Sequence, residues 1–167
     1  MSYSRVGRTN AEKRQLNVLE LLADAMFFID IPEHFTISIS GKCHDVFANR
    51  TQIQQVLQNL IDNAIKYNDK AHGIVKINLE QKDNFAVISI KDNGPGIEKK
   101  YHQKIFQIFQ SLQSRTNTNS TGIGLSIVKK TIETLDGTID VESTLGDGCT
   151  FIVKFPTTSP VVDSEKE

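Results

Sequence analysis

Residues 55–67, Gln-Val-Leu-Gln-Asn-Leu-Ile-Asp-Asn-Ala-Ile-Lys-Tyr, decide how this chain folds. On a helix with about 100° per residue, the apolar residues in and just before this stretch form one broad stripe. The members of the stripe are Ile53, Val56, Leu57, Leu60, Ile61 and Ala64. Asn59, Asn63 and Lys66 follow one edge of the stripe, and Tyr67 lies at its border. Amide oxygens suit Mg²⁺ and lysine suits phosphate, but an amphipathic helix with a solvated polar face explains the stretch equally well.

The bulk composition indicates one soluble domain. The chain has 167 residues, of which 38% are hydrophobic and 23% are charged. A net charge of −1 argues against binding to nucleic acid or to an anionic membrane. The two cysteines, Cys43 and Cys149, have no Cys-x-x-Cys spacing, which favours reduced thiols and a cytoplasmic location. The apolar run 25–31 is too short to cross a bilayer, so we expect no membrane contact by this chain, although a longer parent protein is free to carry an anchor.

The residue pattern along the chain predicts an α+β fold. Helical periodicity predicts helices at 13–28, 49–67 and 123–135, and short helical pieces are expected over 98–109. In the last helix, Ile127, Val128 and Ile132 are expected to face the core. Alternation of apolar and polar residues predicts strands at 35–40, 46–48, 74–80, 85–91, 138–143 and 150–155. Because the strands occur in hairpins, we predict a two-layer α/β sandwich. Its sheet is mixed but mostly antiparallel, and its helices lie on one face.

Two glycine-containing segments follow this framework. Residues 92–97, Asp-Asn-Gly-Pro-Gly-Ile, end a predicted strand, and glycines there allow a flat ligand to approach the backbone. An acidic side chain at that point can accept a hydrogen bond from an exocyclic amine, although a plain tight turn is the commoner explanation. Residues 120–125, Ser-Thr-Gly-Ile-Gly-Leu, precede a helix, where free backbone N–H groups favour phosphate. No Gly-Lys-Ser/Thr follows, so this segment is not a Walker A motif.

A polar segment separates the two glycine-containing segments. Phe106 and Phe109 are expected to anchor one end of it in the core. Residues 110–121 are rich in Ser, Thr and Asn and have almost no apolar side chain, which predicts a mobile loop. A mobile loop with a fixed hinge beside a ligand site is typical of a lid.

Taken together, the motifs resemble the catalytic, ATP-binding domain of sensor histidine kinases, in the GHKL or Bergerat-fold superfamily. The resemblance rests on the Asn-x-x-x-Asn-x-x-Lys-Tyr helix, Asp-x-Gly-x-Gly, the Phe pair and Gly-x-Gly-Leu in this order. It implies a catalytic domain over 13–157 with a mobile ATP lid. Residues 1–12 are similar to the end of the preceding dimerisation helix, and 158–167 are expected to be a disordered tail.

The resemblance also assigns roles to individual residues. Asn63 is the expected main Mg²⁺ ligand with Asn59 beside it, and Asn59 and Lys66 are the expected catalytic residues, with Lys66 approaching the phosphates. Tyr67 and Asp92 are expected to contact the adenine side of ATP. Gly94, Gly96 and Ile97 are expected to shape the pocket. The residues expected near the phosphates and the lid are Thr121, Gly122, Ile123, Gly124 and Leu125. Arg115 is a further candidate for the γ-phosphate.

The resemblance implies partners that the chain itself does not supply. The family's phosphorylated histidine lies in a His-Glu/Asp-x-x-x-Pro pattern on a separate dimerisation domain. None of the four histidines, at positions 34, 44, 72 and 102, has that setting. We therefore expect ATP and Mg²⁺ to bind, and phosphate to pass to the dimerisation domain and then to the receiver domain of a response regulator.

Three alternatives stay open at this stage. An ATPase of the same superfamily carries a glutamate general base where Asn59 stands, and an amide cannot accept that proton near neutral pH. A serine kinase that inhibits a sigma factor is a nearer relative. A non-catalytic module that binds nucleotide or only a partner is the third. One departure from the family is Asp136, which replaces a usual glycine and is expected to tolerate a left-handed turn.

Overall fold

A computed structural model describes residues 12–107 and 124–158. The elements in chain order are β1 (Arg14–Leu16), α1 (Val18–Phe27), β2 (Phe35–Gly41), β3 (Val46–Ala48), α2 (Arg50–Lys66), β4 (Gly73–Lys82), β5 (Phe85–Asp92), α3 (Gly124–Thr134), β6 (Thr138–Ser143) and β7 (Cys149–Pro156). Two 3₁₀ turns, Lys99–Tyr101 and Lys104–Phe106, follow β5, in agreement with the short helical pieces that the sequence predicts.

One five-stranded sheet carries the fold. Its strand order is β2-β4-β5-β7-β6. The β2–β4 pair is parallel and the other neighbouring pairs are antiparallel. On one face, alternate residues such as Ile77, Ile90 and Phe151 lie in register and are buried. The helices cover that face, so the predicted two-layer α+β sandwich with a mixed, mostly antiparallel sheet is confirmed.

Helix α2 lies at the centre of the helical layer, in contact with both α1 and α3. All six residues of its apolar stripe are at most 6% exposed. Its first turn is capped because Asn49 Oδ1 accepts a hydrogen bond from the backbone N–H of Gln52 at 3.1 Å. At the other end, the backbone N–H of Tyr67 donates to the carbonyl of Asn63 at 3.2 Å. The predicted central helix and its buried apolar stripe are confirmed.

Two details of the sequence prediction are wrong. Residues 14–16 form a strand that pairs with β3, and helix α1 starts only after Asn17, whose side chain accepts from the backbone N–H of Glu20 at 3.1 Å. The predicted 13–28 helix is therefore too long, because strand pairing and the cap override its apolar period. Ile127 is 42% exposed, since Val128 and Ile132 occupy the buried face of α3 without it.

Several predictions lie wholly or largely outside the described residues. They concern residues 1–11, Phe109, the loop 110–121 and the tail from 159 onward. Within the described ranges, no helix combines the length and apolar character needed to cross a membrane. Asp136 adopts a φ of 60°, as predicted, and both cysteines are free.

Candidate functional site

The polar edge of α2 ends beside a cavity of about 410 Å³. The last turns of α2, the loop after β5, the two 3₁₀ turns, the start of α3 and the β6–β7 turn all contribute to its wall. The lining residues are Asn63, Ala64, Tyr67, Asp92, Pro95, Gly96, Ile97, Glu98, Tyr101, Ile105, Leu125, Leu145, Cys149 and Phe151. The cavity is mostly apolar with a few polar groups, which is the usual character of a small-molecule site.

Asp92 is the carboxylate in this wall whose ionisation is perturbed. It stands at the end of β5, and its Oδ1 accepts hydrogen bonds from the backbone N–H groups of Gly94 at 2.8 Å and Cys149 at 3.3 Å. Burial raises the pKa of the Asp92 carboxyl, and the two backbone donors oppose that rise. Two backbone donors on one oxygen fix the orientation of the carboxylate, which makes it a preorganised acceptor for a donor in the cavity.

The loop 92–97 and the β6–β7 turn are joined by hydrogen bonds. The backbone N–H of Gly146 donates to the carbonyl of Pro95 at 2.6 Å. The Ser143 hydroxyl accepts from the backbone N–H of Ile97 at 2.7 Å and donates to the carbonyl of Gly148 at 2.7 Å. The Gly146–Pro95 and Ile97–Ser143 bonds cross between the two segments, so the segments form one continuous wall.

Glycines make this close approach of two backbones feasible. Gly96 and Gly148 have φ values of 76° and 83°, in the left-handed region that side chains disfavour. A Cβ on Gly96 would overlap the carbonyl oxygen of Thr144, and a Cβ on Gly148 would overlap that of Asp92. The glycines here therefore shape the wall by removing side chains between its two segments.

Asn93 connects this wall to the end of α2. Its Oδ1 accepts from Asn68 Nδ2 and from the backbone N–H of Ile74, both at 2.8 Å. Its Nδ2 donates to the carbonyl of His72 at 3.0 Å. Asn93 therefore holds the loop after β5 in place against the segment that leaves α2, and this fixes Asp92 relative to Asn63 and Tyr67.

Lysines lie close to aromatic rings at and beside the cavity. Lys66 Nζ is 5.9 Å from the ring centroid of Tyr67. Lys100 and Lys104 Nζ are 5.0 and 5.8 Å from the ring centroid of Tyr101. Both tyrosines line the cavity, so these contacts place positive charge near a site that has room for an anionic ligand.

Cys149 is a buried thiol within the same cavity. Burial and the nearby Asp92 carboxylate raise the pKa of Cys149 to about 12, against a smaller lowering contribution from a hydrogen bond with Ser143. A thiol with that pKa is almost entirely protonated near neutral pH and is a poor nucleophile. The cavity wall at Cys149 is therefore a small, neutral surface.

The structure brings together about half of the residues that the sequence nominates for the site. Those that line the cavity are Asn63, Tyr67, Asp92, Gly96, Ile97 and Leu125. Those described but outside the lining are Asn59, Lys66, Gly94 and Gly124, of which Gly94 is buried and supports Asp92 through its N–H. Arg115, Thr121, Gly122 and Ile123 lie outside the described residues.

Sequence reasoning missed part of the cavity wall. The unpredicted lining residues are Ala64, Pro95, Glu98, Tyr101, Ile105, Leu145, Cys149 and Phe151. One signal was available for Leu145, because Leu-Gly-Asp-Gly at 145–148 is a glycine-containing turn like 92–97. The others are either neighbours of nominated residues, such as Ala64 and Pro95, or residues such as Glu98 and Tyr101 that stand in no motif, and their place in the wall depends on the three-dimensional packing.

Comparison with known proteins agrees with this arrangement. The family model described as "Histidine kinase-, DNA gyrase B-, and HSP90-like ATPase" matches residues 48–159, which is more than half of the 167-residue chain. The chain belongs to this ATPase family. The matched range contains α2, the loop after β5 and the β6–β7 turn, which all contribute to the cavity wall.

Individual relatives place the chain among sensor kinases of this family. It is 43% identical over 160 residues to cyanobacterial phytochrome A of Nostoc sp. (strain PCC 7120 / SAG 25.82 / UTEX 2576), covering 93% of this chain and 21% of that protein. The catalytic domain of histidine kinase ThkA superposes with a TM-score of 0.75 and 31% identity, covering 88% of this chain and 97% of that one. Histidine kinase ThkA in complex with the response regulator protein TrrA superposes with a TM-score of 0.72 and 27% identity, covering 93% of this chain and 46% of that one.

Proposed function

We propose that this member of the ATPase family is the ATP-binding catalytic domain of a two-component sensor histidine kinase. In this proposal it presents the γ-phosphate of Mg·ATP to a histidine on a separate dimerisation domain, for onward transfer to a response regulator. The supporting observation is the Asp92 carboxylate, which two backbone donors hold in the wall of a mostly apolar cavity of about 410 Å³ that Asn63 of α2 also lines.

The adenine end of the site is assigned to Asp92 and its surroundings. Because both backbone donors contact Oδ1, we assign the exocyclic amine of adenine to Oδ2. Ile97, Ile105 and Phe151 supply apolar surface for the base, and Tyr67 supplies an aromatic face. The rise in the pKa of Asp92 on burial is opposed by such a donor, so a bound amine stabilises the ionised carboxylate.

The phosphate and metal end is assigned to the polar edge of α2. Asn63 lines the cavity and Asn59 precedes it by about one turn on the same edge. The described residues contain no group of three His, Cys, Asp or Glu side chains placed to hold a metal ion. Asn63 and Asn59 offer amide oxygens, and Mg²⁺ is commonly bound by few protein oxygens together with substrate phosphates and water. When bound, Mg²⁺ neutralises phosphate charge, and we assign Lys66 and the backbone N–H groups near Gly122 and Gly124 to assist it.

Transfer to a protein histidine is favoured over hydrolysis by the chemistry of Asn59. A hydrolase needs a base that takes a proton from water, and an amide side chain cannot do this near neutral pH. The complex of ThkA with TrrA supports a response regulator as the final acceptor. The chain spans 21% of the length of its phytochrome relative, so the dimerisation domain is assigned to the parent protein. A cytoplasmic location fits the ATP substrate and the two free thiols.

Calorimetric titration of the 167-residue chain with ATP tests the proposal. We expect binding that is stronger with Mg²⁺ than with excess EDTA. Asn63→Ala is expected to abolish the Mg²⁺-dependent part, whereas Asn78→Ala, a matched change at an exposed position of β4, retains it. Absence of binding by the wild-type chain would favour a non-catalytic module and contradict the proposal.

Radiolabelled ATP separates a kinase from an ATPase. We expect no acid-labile label on the chain alone, and labelling when the separately expressed dimerisation domain of the parent kinase is added. Sustained release of free phosphate by the chain alone would instead identify a hydrolase.

A further inference from the structure

Leu145 differs from the other apolar side chains of the cavity wall. It is 62% exposed, whereas Ile105, Cys149 and Phe151 are between 5% and 6% exposed. Single exposed apolar side chains are common on protein surfaces, so the exposure of Leu145 matters here because of its place in the cavity wall. Leu145 lines the cavity and keeps most of its surface open.

The backbone holds Leu145 at this position independently of its own side-chain packing. Residues 144–147 form a β-turn in which the N–H of Asp147 donates to the carbonyl of Thr144 at 2.9 Å. Leu145 is the second residue of the turn, and Gly146 is the third with a φ of 91°, as a type II turn requires. The bond from Gly146 N–H to the Pro95 carbonyl then ties the turn to the loop that carries Asp92.

We propose that Leu145 is a base-contacting residue that covers part of the purine when a nucleotide binds. The β6–β7 turn is thereby a recognition element of the site, in addition to the residues nominated from the sequence. The proposal rests on the proposed function, since it takes the cavity as the place where adenine binds. Three observations carry it: the side chain lines the cavity, it is the large apolar group left exposed there, and its turn is hydrogen-bonded to the Asp92 loop.

The contact has a particular pattern across ligands. Leu145 has no charge and no hydrogen-bonding group, so it cannot discriminate between adenosine, ADP and ATP through phosphate or Mg²⁺. If it covers the base, its removal weakens all three ligands by the same factor. A residue that acts on the phosphates or metal instead weakens ATP much more than adenosine.

The test compares Kd values for adenosine, ADP and Mg·ATP in the 167-residue chain. Leu145→Ala is expected to raise all three Kd values by a common factor of about tenfold, from the apolar surface lost on truncation. Leu145→Met restores binding to within about twofold because it replaces similar apolar volume. Leu19→Ala is the matched control, since Leu19 is 54% exposed on α1 and does not line the cavity; it leaves all three Kd values unchanged.

The outcomes separate this inference from the proposed function. Wild-type binding with unchanged Kd values in Leu145→Ala overturns the role of Leu145 and leaves the nucleotide site standing. A loss confined to ATP also overturns it, because the contact is then not with the base. Absence of nucleotide binding by the wild-type chain overturns the proposed function itself. Equal thermal unfolding midpoints of the unliganded variants and wild type verify that each variant is folded.

Discussion

The two faces of α2 differ in burial, and in the proposed function one serves the core while the other serves ligand binding. Its apolar stripe is buried in the core, where Leu60 and Ile61 are 0% exposed. Its polar edge, with Asn63 at the cavity and Lys66 exposed, leaves amide and amine groups open to a ligand. Because the two sets lie on one rigid element, the core determines where the polar edge is without taking part in its chemistry.

Asp92 in the cavity wall differs from the residues of α2, because one side chain affects both stability and binding. Asp92 is partly buried and ionisable, so placing it in the wall costs folding free energy that a polar ligand recovers. The comparison therefore predicts that core changes reduce stability without altering nucleotide affinity. Changes at Asp92 are expected to reduce nucleotide affinity without reducing stability.

Truncation of the stripe has the largest expected effect on folding. Leu60→Ala is expected to lower the free energy of unfolding by about 2–5 kcal/mol, because it removes a fully buried side chain and leaves a cavity. Urea denaturation measures the loss, and Asp62→Ala at an exposed position of α2 is the control with little effect. Under conditions where both proteins stay folded, the Kd for nucleotide is unchanged. A large change in Kd with little loss of stability would break the comparison.

The parts that follow from local chemistry were predictable from the sequence. The stripe of α2, the Asn49 cap and the strand pairs depend on periodicity and on neighbours within a few residues. The length of α1 was not predictable, because residues 14–16 pair with β3, which lies some thirty residues further along the chain. This long-range strand pairing overrides the local helical propensity, and the residue pattern at 13–28 does not indicate the pairing.

The candidate site was predictable only in part, for a related reason. Asp92 and Asn63 belong to motifs that are visible in one stretch of sequence. Tyr101 and Phe151 enter the wall through the packing of distant elements, and as single residues they resemble ordinary core positions. Leu145 lies in a turn whose glycine pattern is visible, but the hydrogen bond from Gly146 of that turn to the loop 92–97 depends on the pairing of β5 with β7.

Replacement of the Asp92 carboxylate has the next largest expected effect, and acts on binding. Asp92→Asn is expected to weaken adenine-nucleotide binding by about 1–3 kcal/mol, since the amide leaves an imperfect acceptor for the buried amine. Calorimetric titration measures this change. Asp140→Asn, at an exposed position of β6, is the matched control and retains the wild-type Kd. Unchanged affinity in Asp92→Asn would remove Asp92 from the site.

The titration of Asp92 sharpens the comparison by giving stability and affinity opposite pH dependences. Because burial raises the pKa of the folded carboxyl, its contribution to stability is fully present below the ordinary Asp pKa and is lost as pH rises through the raised value. In the proposed site, adenine's amine binds the ionised form, so affinity is expected to fall on acidification, by at most about tenfold per pH unit. Both dependences are measured in wild type and in Asp92→Asn, in which both are expected to flatten. Affinity that rises on acidification would contradict the assigned hydrogen bond.

The smallest expected effect comes from the cap of α2, which belongs to neither face. Asn49→Ala removes the acceptor for the Gln52 N–H, and is expected to cost about 1 kcal/mol of stability in urea denaturation. Asn49→Asp retains an acceptor at the helix start and keeps most of that stability. The cap lies at the opposite end of α2 from the cavity residues Asn63 and Tyr67, so the nucleotide Kd is expected to stay constant in both variants. A weakened Kd in Asn49→Ala would mean that loosening one end of α2 displaces the polar edge at the other, and that stability and binding are coupled along the helix.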